Sequence, residues 1–457
     1  MAKRAPQQVI AIVGGATAGA EAAGMFADRG ALAIVFEQNA RPYGKIEDGL
    51  PRWHVKLRRK EYALVNARLG RPGVHFVPLT RIGRDIDFRE LVRDWGFSAI
   101  VLAQGAWRDR PLPVEGAERY VGRGLLYQNA LIHWFNHYEE RDYTGPQYEI
   151  VNGALVIGGG LASIDVMKVL QIETARAALR RRGITEDTLR LEHDGIPEVL
   201  ATHGLTWDDL GVKPSTLCYR RRIEDMPLGE IPADADPARR HKFELLRRRI
   251  LTKAMQKYCF AVRPLHAPVG ILADAASADG RLVGVRFQET RVTGGHAVPV
   301  AGVFHDLHAP LVVSSIGSVP EPMSGIPQDG VLFRYTDPAL GRVAGYDTVF
   351  GVGNVVTGKG NIMLSRRHST EVSLRLIDHF LGLDKGEHAG EERLLAPIAG
   401  TAGDTAARVA DTVSQRPPLS PEQVDGLLHR VRARQQAVGY TGGYHEWIER
   451  VTPADLA

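Results

Sequence analysis

Two parallel-sheet α/β units in one chain are what this sequence predicts, and three observations carry the prediction. A short apolar run, Val9 to Val13, ends in a glycine turn that opens a small-residue helix. The same order of strand, glycine turn and helix returns from Ala154, about 145 residues later. Between the two turns, apolar strands alternate with helical stretches, as parallel sheets require.

VIAIV (Val9–Val13) is apolar throughout, as a strand covered on both faces must be. Ala18 to Arg29 reads as the helix after it, and Gly30 as its stop. Leu32 to Phe36 is a second strand, closed by Glu37, and Ser98 to Ala103 a third. Ala154 to Ile157 restarts the pattern, with a helix from Leu161. Its neighbouring strand is Ser215 to Tyr219, reached after a long excursion through residues 171–213. Residues 384–419 are rich in Gly, Ala, Glu and Asp and end in Arg416-Pro417-Pro418, which predicts a loose linker. Ser420-Pro421-Glu422-Gln423 then offers an N-cap, a proline at the first helical position and a capping-box Gln. Val424, Leu427, Leu428 and Val431 share one face of that helix, and Gly439 can end it. This tail either packs back on the body or serves as a partner-binding arm. Tyr440, Tyr444 and Trp447 suit packing.

A chain of 457 residues has room for two or three domains. No apolar run approaches the ~20 residues needed to cross a bilayer, and the start MAKRAPQQVIAIVGG leaves no space for a leader before the first strand. A cytoplasmic, membrane-free protein is expected. Two cysteines, Cys218 and Cys259, exclude a disulfide framework, a four-thiolate zinc site and an iron–sulfur cluster. The net charge of +4 is uneven. Lys45, Arg52, Lys56, Arg58, Arg59 and Lys60, against Glu47 and Asp48, carry as much net charge as the whole chain. A second basic run is ARRHKFELLRRR, residues 238–249. Each is either a solvated helix face or a docking surface for an acidic partner. No nucleic-acid module accompanies the charge, so no nucleic-acid partner is expected.

With 49 glycines in the chain, chance supplies about half an occurrence of G-x-G-x-x-G, so position must carry the argument. In Gly14-Gly15-Ala16-Thr17-Ala18-Gly19, Gly14 permits the tight turn and Gly19 lets helix and strand approach. The helix N-terminus at Ala18 would face a pyrophosphate. Glu37, 23 residues after Gly14, ends the second strand where a carboxylate accepts both ribose hydroxyls, which suits FAD. In Gly158-Gly159-Gly160-Leu161-Ala162-Ser163 the first two glycine positions are kept and Ser163 is small at the third. There the second strand ends in Arg220-Arg221-Arg222, which suits the 2′-phosphate of NADP(H). The bland reading is three solvated arginines.

Several stretches over roughly residues 7–383 resemble one family. They are the first turn, Glu37 with Arg41-Pro42-Tyr43-Gly44, GLPRWHVK (49–56), VLAQGA (101–106), GGGLASID (158–165), YRRRIEDMP (219–227), SSIGSVPEPMSGIP (314–327) and VFGVGNVVTGKGNI (349–362). Together the chain resembles the adrenodoxin reductase type of ferredoxin–NADP⁺ reductase and the flavoprotein small subunit of glutamate synthase. The resemblance implies two Rossmann-like nucleotide-binding domains, for FAD and NADP, and a helical C-terminal tail. It implies FAD contacts from Gln38, Gly44, Lys45, Gln104, Gly105, Gly353, Asn354, Gly360, Asn361 and Ile362, besides the first turn and Glu37. His54 and Lys56 would shape the flavin's protonation or field, or His54 is a satisfied structural histidine. Ala16, Tyr43 and Asn354 depart from the family's usual Gly, Gly and Asp or Trp, and the small subunit's cysteine-rich N-terminal segment is absent.

The expected architecture is an FAD domain at 1–120 and 305–383, an NADP domain at 121–304, and a linker and tail at 384–457. The expected activity is electron transfer between NADPH and an acidic, ferredoxin-like iron–sulfur protein through the flavin. The alternative is the pyridine-nucleotide-reactive subunit of a larger complex, glutamate synthase-like or 2-oxoacid oxidoreductase-like. A flavin monooxygenase shares the two turns but not the later stretches. Oligomeric state is left open.

Overall fold

The structure is a computed structural model and describes residues 7–141, 143–229, 231, 235–274, 280–357 and 396–453. The first unit contains strands β1 (Val9–Val13), β2 (Leu32–Phe36), β3 (Val74–Val77) and β4 (Ala99–Leu102). With them come helices α1 (Thr17–Asp28), α2 (Lys45–Asp48), α3 (Val55–Leu69) and α4 (Phe88–Asp94). The strands pair in parallel, β4-β1-β2-β3, so their C-terminal ends meet at one edge. The chain then leaves through β5 (Arg108–Asp109).

The second unit holds β6 (Leu125–Tyr127), α5 (Gln128–His137), β7 (Leu155–Gly158) and α6 (Leu161–Arg180). The excursion forms α7 (Thr188–Asp194) and α8 (Ile196–Ala201) before β8 (Thr216–Tyr219), α9 (Pro237–Tyr258) and β9 (Ala261–Pro264). Three antiparallel strands follow, β10 (His266–Ala273), β11 (Leu282–Thr293) and β12 (His296–His308), and then β13 (Val312–Ser315). The second sheet is parallel throughout, β6-β13-β7-β8-β9. Because β13 pairs with both β6 and β7, this sheet takes in residues beyond the expected boundary at 304. The chain returns through β14 (Ser318–Val319), which pairs antiparallel with β5. Both crossings between the units therefore form one narrow ribbon.

Strands β15 (Gln328–Asp329), β16 (Leu332–Phe333), β17 (Tyr335–Asp337), β18 (Arg342–Val343) and β19 (Val349–Gly351) and helix α10 (Asn354–Thr357) complete the first unit. β19 extends the first sheet in parallel beside β4. Residues 384–395 of the expected linker lie outside the described residues. The rest is not a loop: 396–414 form helix α11 (Ala396–Ser414). Ala399 is buried, and Ala402, Ala406, Val409, Ala410 and Val413 are buried with the alanines of α1. That i, i+3, i+7 spacing of small residues lets two backbones pack closely, and the Gly- and Asp-rich composition conceals it.

The tail packs back on the body as α12 (Pro421–Ala437) and α13 (Tyr444–Val451). Ser420 and Gln423 form the expected capping box. Val424, Leu427, Leu428 and Val431 are buried against Val9, Ala11 and Ile34 on the other face of the first sheet, each worth about 2 kcal/mol. Arg434 Nε donates to Thr80 Oγ1 (2.9 Å), and Trp447 Nε1 donates to the Ala40 carbonyl (2.8 Å). The tail thus braces both loops at the C-terminal edge of β2 and β3. Among the described residues, no helix is long and apolar enough to cross a membrane.

Candidate functional site

A groove crosses the C-terminal edge of the first sheet in two adjoining pockets. One is lined by Gly14, Glu37, Gln38 and the loop Thr80–Gly83, the other by Thr17, Ala18, Lys45, Gly105, Asn354 and Asp165. Ala16, Gly44, Ala103, Gln104 and Trp107 line both. Gly14 has φ +99°, and a Cβ there would meet the Ala103 carbonyl oxygen at 2.9 Å. A Cβ at Gly19 would stand 1.9 Å from the Gly14 carbonyl oxygen, so strand and helix touch backbone to backbone. Ala16 caps α1 without a side-chain bond, which leaves the first-turn amides facing the groove.

Glu37 is buried, and its two oxygens accept from Gly15 N (2.8 Å) and Asn39 N (2.9 Å). Burial raises its pKa to about 7 against those donors. The bonds fix the carboxylate's orientation and leave lone pairs for two further donors, such as ribose hydroxyls. Both polar side-chain atoms of Gln104 are buried without a partner. With the glycine cradle and Glu37, these unsatisfied groups fit a dinucleotide such as FAD.

At the inner end, Lys45 Nζ donates to Ser318 Oγ (2.9 Å) and Asn129 Oδ1 (3.3 Å) at the ribbon joining the units. Burial lowers Lys45 to about 8 and raises Asp109 to about 6, each opposed by the other's charge. Gly353 packs on α1, since a Cβ there would lie 2.7 Å from Ala18 Cβ. Gly360, Asn361 and Ile362 lie outside the described residues.

Neither His54 nor Lys56 is on the groove wall. His54 caps α3, and its Nε2 accepts from Trp53 Nε1 (3.1 Å) and stands 3.8 Å from Asp165 Oδ2. Asp165 itself lines the groove, and its Oδ1 is buried without a hydrogen bond, 3.8 Å from Lys168 Nζ. Lys168 is fully buried and pairs with Glu192 at 2.7 Å. Lys56 is exposed on α3. Sequence reasoning quoted Asp165 within GGGLASID but gave it no role, because its approach to His54 spans two units.

The second turn faces a cavity of about 720 Å³. Its wall includes Gly158, Gly160, Ala162, Ser163, Arg220 and Arg221. A Cβ on Gly158 would meet Ser163 Oγ at 2.2 Å and the Ser315 carbonyl at 2.4 Å. Arg221 is held by Tyr219 Oη (3.0 Å), and Arg220 is exposed. Arg222 is off the wall, its Nε and Nη2 donating to the two carboxylate oxygens of Asp225. Leu161 lines the groove rather than the cavity. Trp107, Gln128, Pro227, Ser315 and Gly317 also line these spaces and were not expected; SSIG and YRRRIEDMP are the stretches that carry some of them. Gln128, Ala162 and Pro227 border both groove and cavity, so the two spaces adjoin.

Two glycine-turn units, one inserted in the other through a two-stranded ribbon, make up this two-domain α/β fold. The fold is similar to that of FprA of Mycobacterium tuberculosis in complex with NADPH, with a TM-score of 0.62 at 18% identity over 94% of this chain and 91% of that one. No family model matches the chain. Among curated proteins, the mitochondrial NADPH:adrenodoxin oxidoreductase of Arabidopsis thaliana is 24% identical over 349 residues, 70% of this chain and 69% of its own. The NADPH glutamate synthase small chain of Mycobacterium tuberculosis is 30% identical over 176 residues, 37% of this chain. The NADPH-Fe(3+) oxidoreductase subunit beta of Geobacter sulfurreducens is 27% identical over 248 residues, 53% of this chain. The matched stretches span 35% and 30% of those last two proteins. These matches bear out the resemblance to adrenodoxin-reductase-type and glutamate-synthase-small-chain flavoproteins read from the sequence.

Proposed function

We propose that the protein is an FAD-dependent NADP(H) oxidoreductase exchanging electrons with an acidic iron–sulfur carrier. The observation that carries this reading is the shared wall of Gln128, Ala162 and Pro227, which sets one nucleotide space against the other. Bound there, FAD and NADP(H) supply hydride transfer and onward electron transfer one or two at a time. The chain's own residues bind and orient. Glu37 takes the ribose of the first nucleotide, the α1 amides its pyrophosphate, and Arg220 and Arg221 the 2′-phosphate of the second. Asp165 sets a carboxylate beside the junction, 3.8 Å from the ammonium of Lys168 that Glu192 already pairs. Trp53 donates to Nε2 of His54, so a neutral His54 carries its proton on Nδ1.

The docking surface is narrower than the charge run suggests. Arg58 is buried, its Nε donating to Tyr62 Oη at 3.2 Å, and Arg52 pairs with Glu139 at 2.6 Å. Lys45 is committed to the ribbon. Lys56 and Arg59 are the exposed cations of the run, on the first turns of α3. Lys56→Glu/Arg59→Glu is expected to raise KM for an acidic ferredoxin about tenfold at low salt, with a smaller salt dependence. Ferricyanide reduction by NADPH should not change. Unaltered ferredoxin kinetics would place docking elsewhere. The alternative, a nucleotide port of a larger complex, rests on the likeness to glutamate synthase small chains, since the tail is folded onto the first unit.

A further inference from the structure

We infer that Asp48, His133 and His137 form a site for a divalent transition metal of the zinc type. The two histidines stand four residues apart on α5, and so on one face of that helix. Asp48 ends α2, which packs across it. Among the described residues, this is the group of three whose donor atoms all come within 4.8 Å of one another. Asp48 Oδ1 lies 3.5 Å from His133 Nδ1 and 3.3 Å from His137 Nε2. Donors about 2.0–2.2 Å from a tetrahedral zinc stand about 3.3–3.6 Å apart, so both edges already have the length the metal needs.

Two further features shape the site. His137 binds Glu140 Oε1 through its other nitrogen, Nδ1, at 2.7 Å. Both ring nitrogens face carboxylates here; with a metal bound, the Glu140 bond would keep the proton on Nδ1 and turn the Nε2 lone pair to the ion, the carboxylate–histidine arrangement that supports metal ligands. Asn136, between the histidines in sequence, donates to the carbonyls of Glu47 and Leu50, both at 2.9 Å. The backbone on either side of Asp48 is therefore fixed before any metal arrives. His133 is half-exposed, which gives the metal an entry path and a fourth position for water.

Two imidazoles and one carboxylate suit Zn²⁺, Ni²⁺ or Cu²⁺ better than Mg²⁺ or Ca²⁺. Such an ion would clamp α2 of the first unit to α5 of the second. Lys45, Ile46, Gly49 and Leu50, around Asp48, line the groove, as do Gln128 and Asn129 at the start of α5. The clamp therefore sits where the two nucleotide spaces adjoin.

The test is equilibrium dialysis of the untagged, full-length protein against Zn²⁺, with the bound metal quantified. One equivalent per chain is expected. Glu140→Gln should weaken binding about 10- to 100-fold, and His133→Ala, at an exposed position that does not threaten folding, should abolish the specific equivalent. Co²⁺ should give the visible bands of a tetrahedral nitrogen–oxygen site in the wild type but not in His133→Ala. Zinc uptake by the wild type no greater than by His133→Ala would overturn the inference.

Discussion

Gly19→Ala is expected to strip the protein of FAD while leaving it folded. The added Cβ would sit 1.9 Å from the Gly14 carbonyl oxygen and 2.9 Å from its carbon. Both are backbone atoms at the end of β1, whose ladder with β2 and β4 prevents retreat. The turn must then open, and the α1 amides move off the pyrophosphate path. Overpacking of this kind costs about 3 kcal/mol, roughly a hundredfold in FAD affinity. Gly24→Ala on the same helix is the control. Its Cβ would meet Arg68 Cδ at 2.7 Å, the far part of a flexible side chain that can swing away. Flavin content and Kd for added FAD read the difference. Equal flavin retention in the two variants would mean that the first turn does not carry the nucleotide.

Arg220→Ala/Arg221→Ala is expected to raise KM for NADPH about a hundredfold and to leave NADH nearly unaffected. Two charge-assisted bonds to a phosphate are together worth about 3 kcal/mol. NADH has no 2′-phosphate to lose them from. Arg222→Ala is the matched control, because Asp225 already holds that guanidinium away from the cavity. An equal loss with both nucleotides would show that the arginines support the fold rather than choose the cofactor.

The parallel core was legible because its signals are local. β2 falls on the expected residues, α6 begins at Leu161 as expected, and α1 starts one residue early. Four consecutive apolar residues before a glycine turn admit few other structures. Contacts between distant residues were not legible. His54 meets Asp165 from another unit, so the sequence could propose the histidine but not its neighbour. A charge run gives sign but not burial: Arg58 and Lys45 count as cations, yet neither is available to a partner. α11 was missed because alanines and glycines among acidic residues look like a linker until a helix of equally small residues is set against them. The return strand β13 extends the second sheet for a similar reason, since its partners β6 and β7 lie more than 150 residues earlier in the chain.

The proposed function requires the two adjoining spaces to carry a flavin and a phosphorylated nicotinamide nucleotide. Anaerobic rapid mixing of the FAD-loaded protein with NADPH, and separately with NADH, tests it most directly. Loss of the oxidised flavin absorbance with NADPH, many times faster than with NADH, is the predicted result. A flavin that neither nucleotide reduces, or that NADH reduces as fast as NADPH, would contradict it.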